Sequence, residues 1–88
     1  MTPADFKEII ELYQKQVYNL ALRYVQQIED AEEITQDVFV KVYEQMDQFK
    51  GQSQLKTWIY RITVNTSLDF LKSKRFKLSK LFSDYKFS

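Results

Sequence analysis

The 88-residue sequence has no cysteine and no histidine. Disulfides, cysteine- or histidine-ligated zinc, thiol nucleophiles and histidine-based triads are therefore excluded. There is one proline, Pro3, and one glycine, Gly51, so the interior has almost no helix breakers and few tight turns. No run approaches the ~20 apolar residues of a membrane helix. The opening, MTPADFKEII, is polar and acidic, without the basic and then apolar stretch of a secretory signal. These absences predict a soluble, cytoplasmic chain. Carboxylates remain for acid–base chemistry, but a hydrolase built on Glu32 and Glu33 needs a metal or a buried acid pair. Both read as ordinary helix acids, so neither catalysis nor a cofactor is expected.

What is present is apolar bulk in helical register. Hydrophobic residues make up 44% and aromatic residues 16% of the chain, enough to build one core in one domain. Residues 2–27 open as a helix, with Thr2 as N-cap and Pro3 at the first helical position. Phe6, Ile10, Tyr13, Val17, Leu20 and Tyr24 recur at spacings of three and four, and Ile9, Ala21 and Val25 widen that face. A second helix restarts with Asp30 as cap and Glu33 completing a capping box. Its inward stripe is Ala31, Ile34, Val38 and Val42. A second apolar stripe of Phe39, Tyr43 and Met46 exceeds what a small bundle can hide, which points to a partner. Residues 47–54 break the periodicity, with Ser53 capping a third helix. That helix has one stripe of Leu55, Ile59, Ile62, Thr66 and Phe70 and another of Trp58, Val64, Leu68 and Leu71. Between them runs a polar strip of Arg61, Asn65, Asp69 and Lys72. Residues 76–88 place Leu78, Leu81, Phe82 and Tyr85 at helical spacing, either as a short fourth helix or as an extension of the third. The fold class expected is all-α, a compact bundle of three to four helices.

The net charge of +1 conceals two unlike halves. Residues 1–50 hold ten acids and five bases, net −5; residues 51–88 hold two acids and eight bases, net +6. Such a division suits two partners, one basic and one polyanionic, although two solvated faces would produce it equally.

Within residues 49–75 a glycine-bearing loop precedes aromatic, guanidinium and amide groups and then a basic run. Aromatic faces stack on unpaired bases, Asn reads base edges through its paired donor and acceptor, and Lys and Arg neutralise phosphates. The combination fits partly single-stranded nucleic acid better than a regular duplex. Structural readings stay open beside it: Trp58 as core, Asn65 bonded to backbone, the lysine run as a solvated helix end.

Three ordered motifs carry a resemblance. Asp30-Ala31-Glu32-Glu33 with Gln36-Asp37 and Phe39, then Phe49-Lys50-Gly51-Gln52-Ser53, then Thr57-Trp58-Ile59-Tyr60-Arg61-Ile62-Thr63-Val64-Asn65 resemble region 2 of bacterial sigma factors, specifically the extracytoplasmic-function group. The resemblance implies that residues 1–75 form a sigma region 2 domain and that 76–88 begin an interdomain linker or form a short C-terminal helix. It implies a polymerase face, on the clamp helices of the RNA polymerase β′ subunit, formed by Glu33, Gln36, Asp37, Phe39, Val40 and Tyr43. It also implies a face for the non-template strand of the promoter −10 element. There the loop from Phe49 through Lys50, Gly51, Gln52 and Ser53 to Gln54 would pocket a flipped base. Asn65 and Asp69 would read base edges, Trp58 would flank the strand fork, and Arg61 and Lys72, with Lys74 and Arg75 beyond them, would hold phosphates. An anti-sigma factor is a further partner implied.

The sequence departs from that pattern in places. Tyr43 stands where the family often has Trp. Asp69 puts a negative charge beside DNA, and capping or a salt bridge to Arg61 or Lys72 is an equal reading. Nothing after residue 75 could supply a helix-turn-helix for the −35 element, so the sequence is a single domain or part of a longer chain. The alternative function is a degenerate protein-interaction domain that binds polymerase or an anti-sigma partner without reading DNA.

Overall fold

The computed structural model describes residues 3–49 and 54–87. It contains α1 (Pro3–Val25), α2 (Ile28–Gln45), a 3-10 turn (Met46–Gln48) and α3 (Leu55–Phe87), with no strand among the described residues. The expected all-α bundle is present. Residues 76–87 are not a fourth helix: they continue α3 without a break, because no Gly or Pro interrupts the run. At ~1.5 Å per residue the 33 residues of α3 span about 50 Å, which accounts for overall extents of 52 × 24 × 21 Å.

The core lies where the three helices meet. Ala31, Ile34, Val38 and Val42 of α2 are fully buried, as their spacing predicts. On α1 the inward line is Ile9, Tyr13, Val17, Ala21 and Val25, one residue every fourth. Of the expected line only Val17 is fully buried, and Phe6, Ile10, Tyr13, Leu20 and Tyr24 are half-buried. The residues assigned to widen the face are therefore its centre. The contribution of α3 is more polar than its apolar stripes suggest: besides Ile59, its buried residues are Thr63, Thr66 and Ser67. The Thr63 hydroxyl donates to the Ile59 carbonyl (2.8 Å) and the Ser67 hydroxyl to the Thr63 carbonyl (2.8 Å). A hydroxyl that bonds the carbonyl four residues back presents only its small body to the neighbour, so these positions pack closely without an unsatisfied polar group.

The turn between α1 and α2 is two residues long. Gln26 lies in the left-handed region, φ 57°, and its N–H donates to the Leu22 carbonyl (2.8 Å), closing α1. Gln27 is extended (φ −140°, ψ 132°), and its carbonyl accepts from the Ala31 N–H (3.0 Å), opening α2. The expected Asp30 cap is incorrect. α2 starts three residues earlier, its cap residue Gln27 makes no side-chain cap bond, and Asp30 lies in the first turn. Glu32 and Glu33 therefore belong to the second turn. The Thr2 and Ser53 caps lie outside the described residues.

Candidate functional site

The sequence reading puts its expected polymerase face on α2 alone; at that place the structure shows a groove lined from two helices. A groove between α1 and α2 is lined by Phe6, Ile10, Gln36, Phe39, Val40 and Tyr43. Its floor is Phe39, only 6% exposed, while Val40 and Tyr43 are 54% and 56% exposed at its rim. Phe39 therefore shapes the groove and offers little surface of its own. Phe6 closes one end, its ring set edge-on to Tyr43 with centroids 5.1 Å apart. Phe6 and Ile10 are the residues that sequence reasoning missed here, because their spacing of four reads equally as core. Glu33, Gln36 and Asp37 are exposed along α2 beside the groove.

Asp37 is not free. The Lys41 ammonium, one turn on, lies 3.4 Å from its carboxylate and donates across to Thr66 Oγ1 of α3 at 3.1 Å. Lys41 fixes the carboxylate beside the groove and ties α2 to α3 immediately next to Asn65.

The second candidate face begins at the loop. The Phe49 N–H caps the 3-10 turn by donating to the Met46 carbonyl (3.1 Å). Across the loop the Phe49 ring lies 5.3 Å from the Trp58 ring at an interplanar angle of 36°. Trp58 is half-buried and packs on the core with one side. The core reading of its indole therefore holds in part, and the rest of the ring lies at the surface. Gln54 is exposed, and its carbonyl accepts the Trp58 N–H (3.1 Å), starting α3. Lys50, Gly51, Gln52 and Ser53 lie outside the described residues.

Along α3, Arg61, Asn65, Asp69 and Lys72 are all exposed. Spacings of four, four and three put them in one strip, in line with Trp58. Among the described residues Asp69 makes no ion pair with Arg61 or Lys72, so the salt-bridge alternative for Asp69 does not hold. Arg75 is exposed. Lys74 is committed elsewhere: its ammonium donates to the Asp30 carboxylate at 3.0 Å, joining α3 to the first turn of α2.

The chain thus presents an apolar groove flanked by acids on α1 and α2. On α3 it presents an exposed strip of amide, guanidinium and ammonium groups led by an aromatic pair. Comparison with known proteins matches the sigma-70 region 2 family over residues 9–77. The chain is 31% identical over 70 residues, 80% of its length, to the ECF RNA polymerase sigma factor SigW of Bacillus subtilis, covering 37% of that protein. It is 32% identical over 69 residues to the RNA polymerase sigma-H factor of Pseudomonas aeruginosa, 78% of this chain and 36% of the relative. It is 39% identical over 66 residues to the ECF RNA polymerase sigma-E factor of Escherichia coli K12, 75% of this chain and 34% of the relative. The chain spans about a third of the length of these relatives. With more than half of its residues inside the family match, and with the three helices that the motifs require, the chain belongs to the sigma-70 region 2 family.

Proposed function

We propose that the chain is a non-catalytic transcription initiation module that works in the cytoplasm as part of an RNA polymerase complex. The groove of α1 and α2 docks on the clamp helices of the β′ subunit, where Val40 and Tyr43 bury against apolar side chains. Glu33 and Asp37 meet basic ones, an arrangement that gives orientation and speed of association more than affinity. The loop from Phe49 to Gln54 and the α3 strip engage the non-template strand of the −10 element. Trp58, covered by Phe49, offers a flat edge at the strand fork, and Asn65 bonds a base edge. Arg61, Lys72 and Arg75 neutralise phosphates. Melting is favoured because bases captured outside the duplex and phosphates paired with cations lower the free energy of the open strand. An anti-sigma factor would inhibit by covering the same groove.

The observation that carries this reading is the family match across residues 9–77, together with an exposed Arg61–Asn65–Lys72 strip on a helix that α2 and the core hold in place. Its test is capture of core polymerase by the tagged chain, with and without labelled −10 non-template strand. Core bound and strand retained is the expected result. Core bound with no strand would leave a protein-interaction domain, and no core bound would reject the proposal. Asp37→Lys separates the interface from the fold. It exchanges an exposed i,i+4 ion pair for a like-charge pair, a cost of less than about 1 kcal/mol, yet it should abolish capture of the polymerase.

A further inference from the structure

The last third of α3 packs against none of the other described helices. Beyond the Lys74–Asp30 pair the helix projects for about 20 Å, and Phe76, Leu78, Leu81, Phe82 and Tyr85 are 60–86% exposed. Leu78, Leu81, Phe82 and Tyr85 share one face, at i, i+3, i+4 and i+7. Around them stand Arg75, Lys77, Lys80 and Lys86 against the single acid Asp84. A helix with this much unpartnered apolar surface is an interaction element.

The chain carries its own complement. The groove of Phe6, Ile10, Phe39, Val40 and Tyr43 is apolar, and α2 lines its approach with Glu33 and Glu44, with Asp37, which is paired with Lys41, and with Asp47 just past its end, all four acids exposed. A basic apolar helix fits an acidic apolar groove both in burial and in sign of charge. We propose that two copies of the chain associate reciprocally, the projecting end of α3 in each lying in the α1–α2 groove of the other.

The topology permits this as a closed pair. The Phe6–Tyr43 contact marks one end of the bundle, and the projection leaves from the opposite end, past the α1–α2 turn. Two copies laid antiparallel therefore bring each projection beside the half of the partner that contains the groove. The contact occurs twice under one two-fold axis, and no unsatisfied copy remains to propagate a filament. The same chain cannot fold its own projection into its own groove, because the helix is continuous from Leu55 to Phe87. The pair covers the surface proposed for polymerase, so dimer and polymerase-bound forms exclude each other. The inference rests on the exposed surfaces alone and stands whether or not the groove binds polymerase.

The test is light scattering of the 88-residue chain against concentration, with two variants at exposed positions that the fold does not need. Phe82→Glu disables the projection and leaves the groove; Val40→Glu disables the groove and leaves the projection. The wild type should form dimers that weaken as salt rises, because part of the attraction is between charges. Each variant alone should dissociate about tenfold or more readily. Mixed together, the two variants should re-associate, since the intact projection of one meets the intact groove of the other. A wild type that stays monomeric overturns the proposal. A Val40→Glu variant that still dimerises alone would show projections pairing with each other, and a Phe82→Glu variant that does so would show grooves pairing; either result overturns it. Flotation with anionic phosphatidylglycerol vesicles completes the set. A monomer that binds vesicles through Phe82 would assign the projection to a lipid surface instead.

Discussion

Lys41 on α2 donates a hydrogen bond to the hydroxyl of Thr66 on α3, 3.1 Å away, while its ammonium also faces Asp37. One side chain thus connects the acid beside the groove with the residue next to Asn65. Lys41→Met should cost about 0.5–1.5 kcal/mol, the usual net value of such a bond. Thr66→Val should cost a similar amount, and the double variant should cost less than the sum by about 0.5 kcal/mol or more. Urea denaturation of the three variants measures this coupling; strict additivity would mean that the contact contributes nothing.

Specificity and affinity on α3 should separate by residue, because base contacts and phosphate contacts fail differently. In holoenzyme, Asn65→Ala should reduce the preference for cognate over scrambled −10 strand by about 1–3 kcal/mol, whereas Lys72→Ala should weaken both strands alike. Competition between labelled strands reads both effects. Equal losses on both strands for Asn65→Ala would make Asn65 structural only.

Salt dependence should expose the role of the Lys74–Asp30 pair. Each phosphate contact on a single strand contributes about −0.7 to the log–log salt slope. Removing Lys72 should lower the slope by about that much, but removing Lys74 by less, because its ammonium is held by Asp30. Asp30→Asn should release Lys74 and steepen the slope. Titration of the strand at three salt concentrations with these variants decides it.

Trp58 is the sole indole of the chain, so its fluorescence reports the Phe49 contact without ambiguity. Phe49→Ala removes the ring 5.3 Å away and should shift the emission to the red as water reaches the indole. The loss of stability should be about 0.5–1.5 kcal/mol beyond the area uncovered. An unchanged spectrum would show that Phe49 does not shield Trp58 in solution.

The strain at Gln26 gives a stability prediction independent of function. A non-glycine residue at φ 57° costs about 1–2 kcal/mol, and glycine relieves that cost at the expense of unfolded-state entropy. Gln26→Gly should therefore gain up to about 1 kcal/mol in urea denaturation. Gln26→Val, β-branched and worse in this conformation, should lose at least as much.

The parts of this fold legible in the sequence are those fixed by local periodicity. Ala31, Ile34, Val38 and Val42 are apolar at strict helical spacing, and all four are buried. The Arg61–Asn65–Asp69–Lys72 strip is legible for the same reason, since neighbours on a helix surface follow from spacing alone. Thr63 and Ser67 escaped because hydroxyl residues read as polar; their burial depends on the backbone carbonyls that satisfy them. The Asp30 cap failed because an acid followed three residues later by Glu also describes acids spread over the first two turns of a helix already begun. Non-local pairs were beyond reach. Nothing near residue 74 announces that its partner is residue 30, and nothing in α2 shows that Phe6 closes its groove.

The unbroken course of α3 also fixes a phase. Asn65 and Phe82 are seventeen steps apart on one rod, an axial offset of about 26 Å and a rotation of about 260° at 100° per residue. Whatever engages the far end is therefore held at a set azimuth to whatever engages the strip. An inserted residue between them would swing that azimuth by about 100°, while four residues, just over one turn, would nearly restore it. Helix α3 behaves less as a tether than as a keyed shaft, in which angular register, and not only distance, joins its two ends.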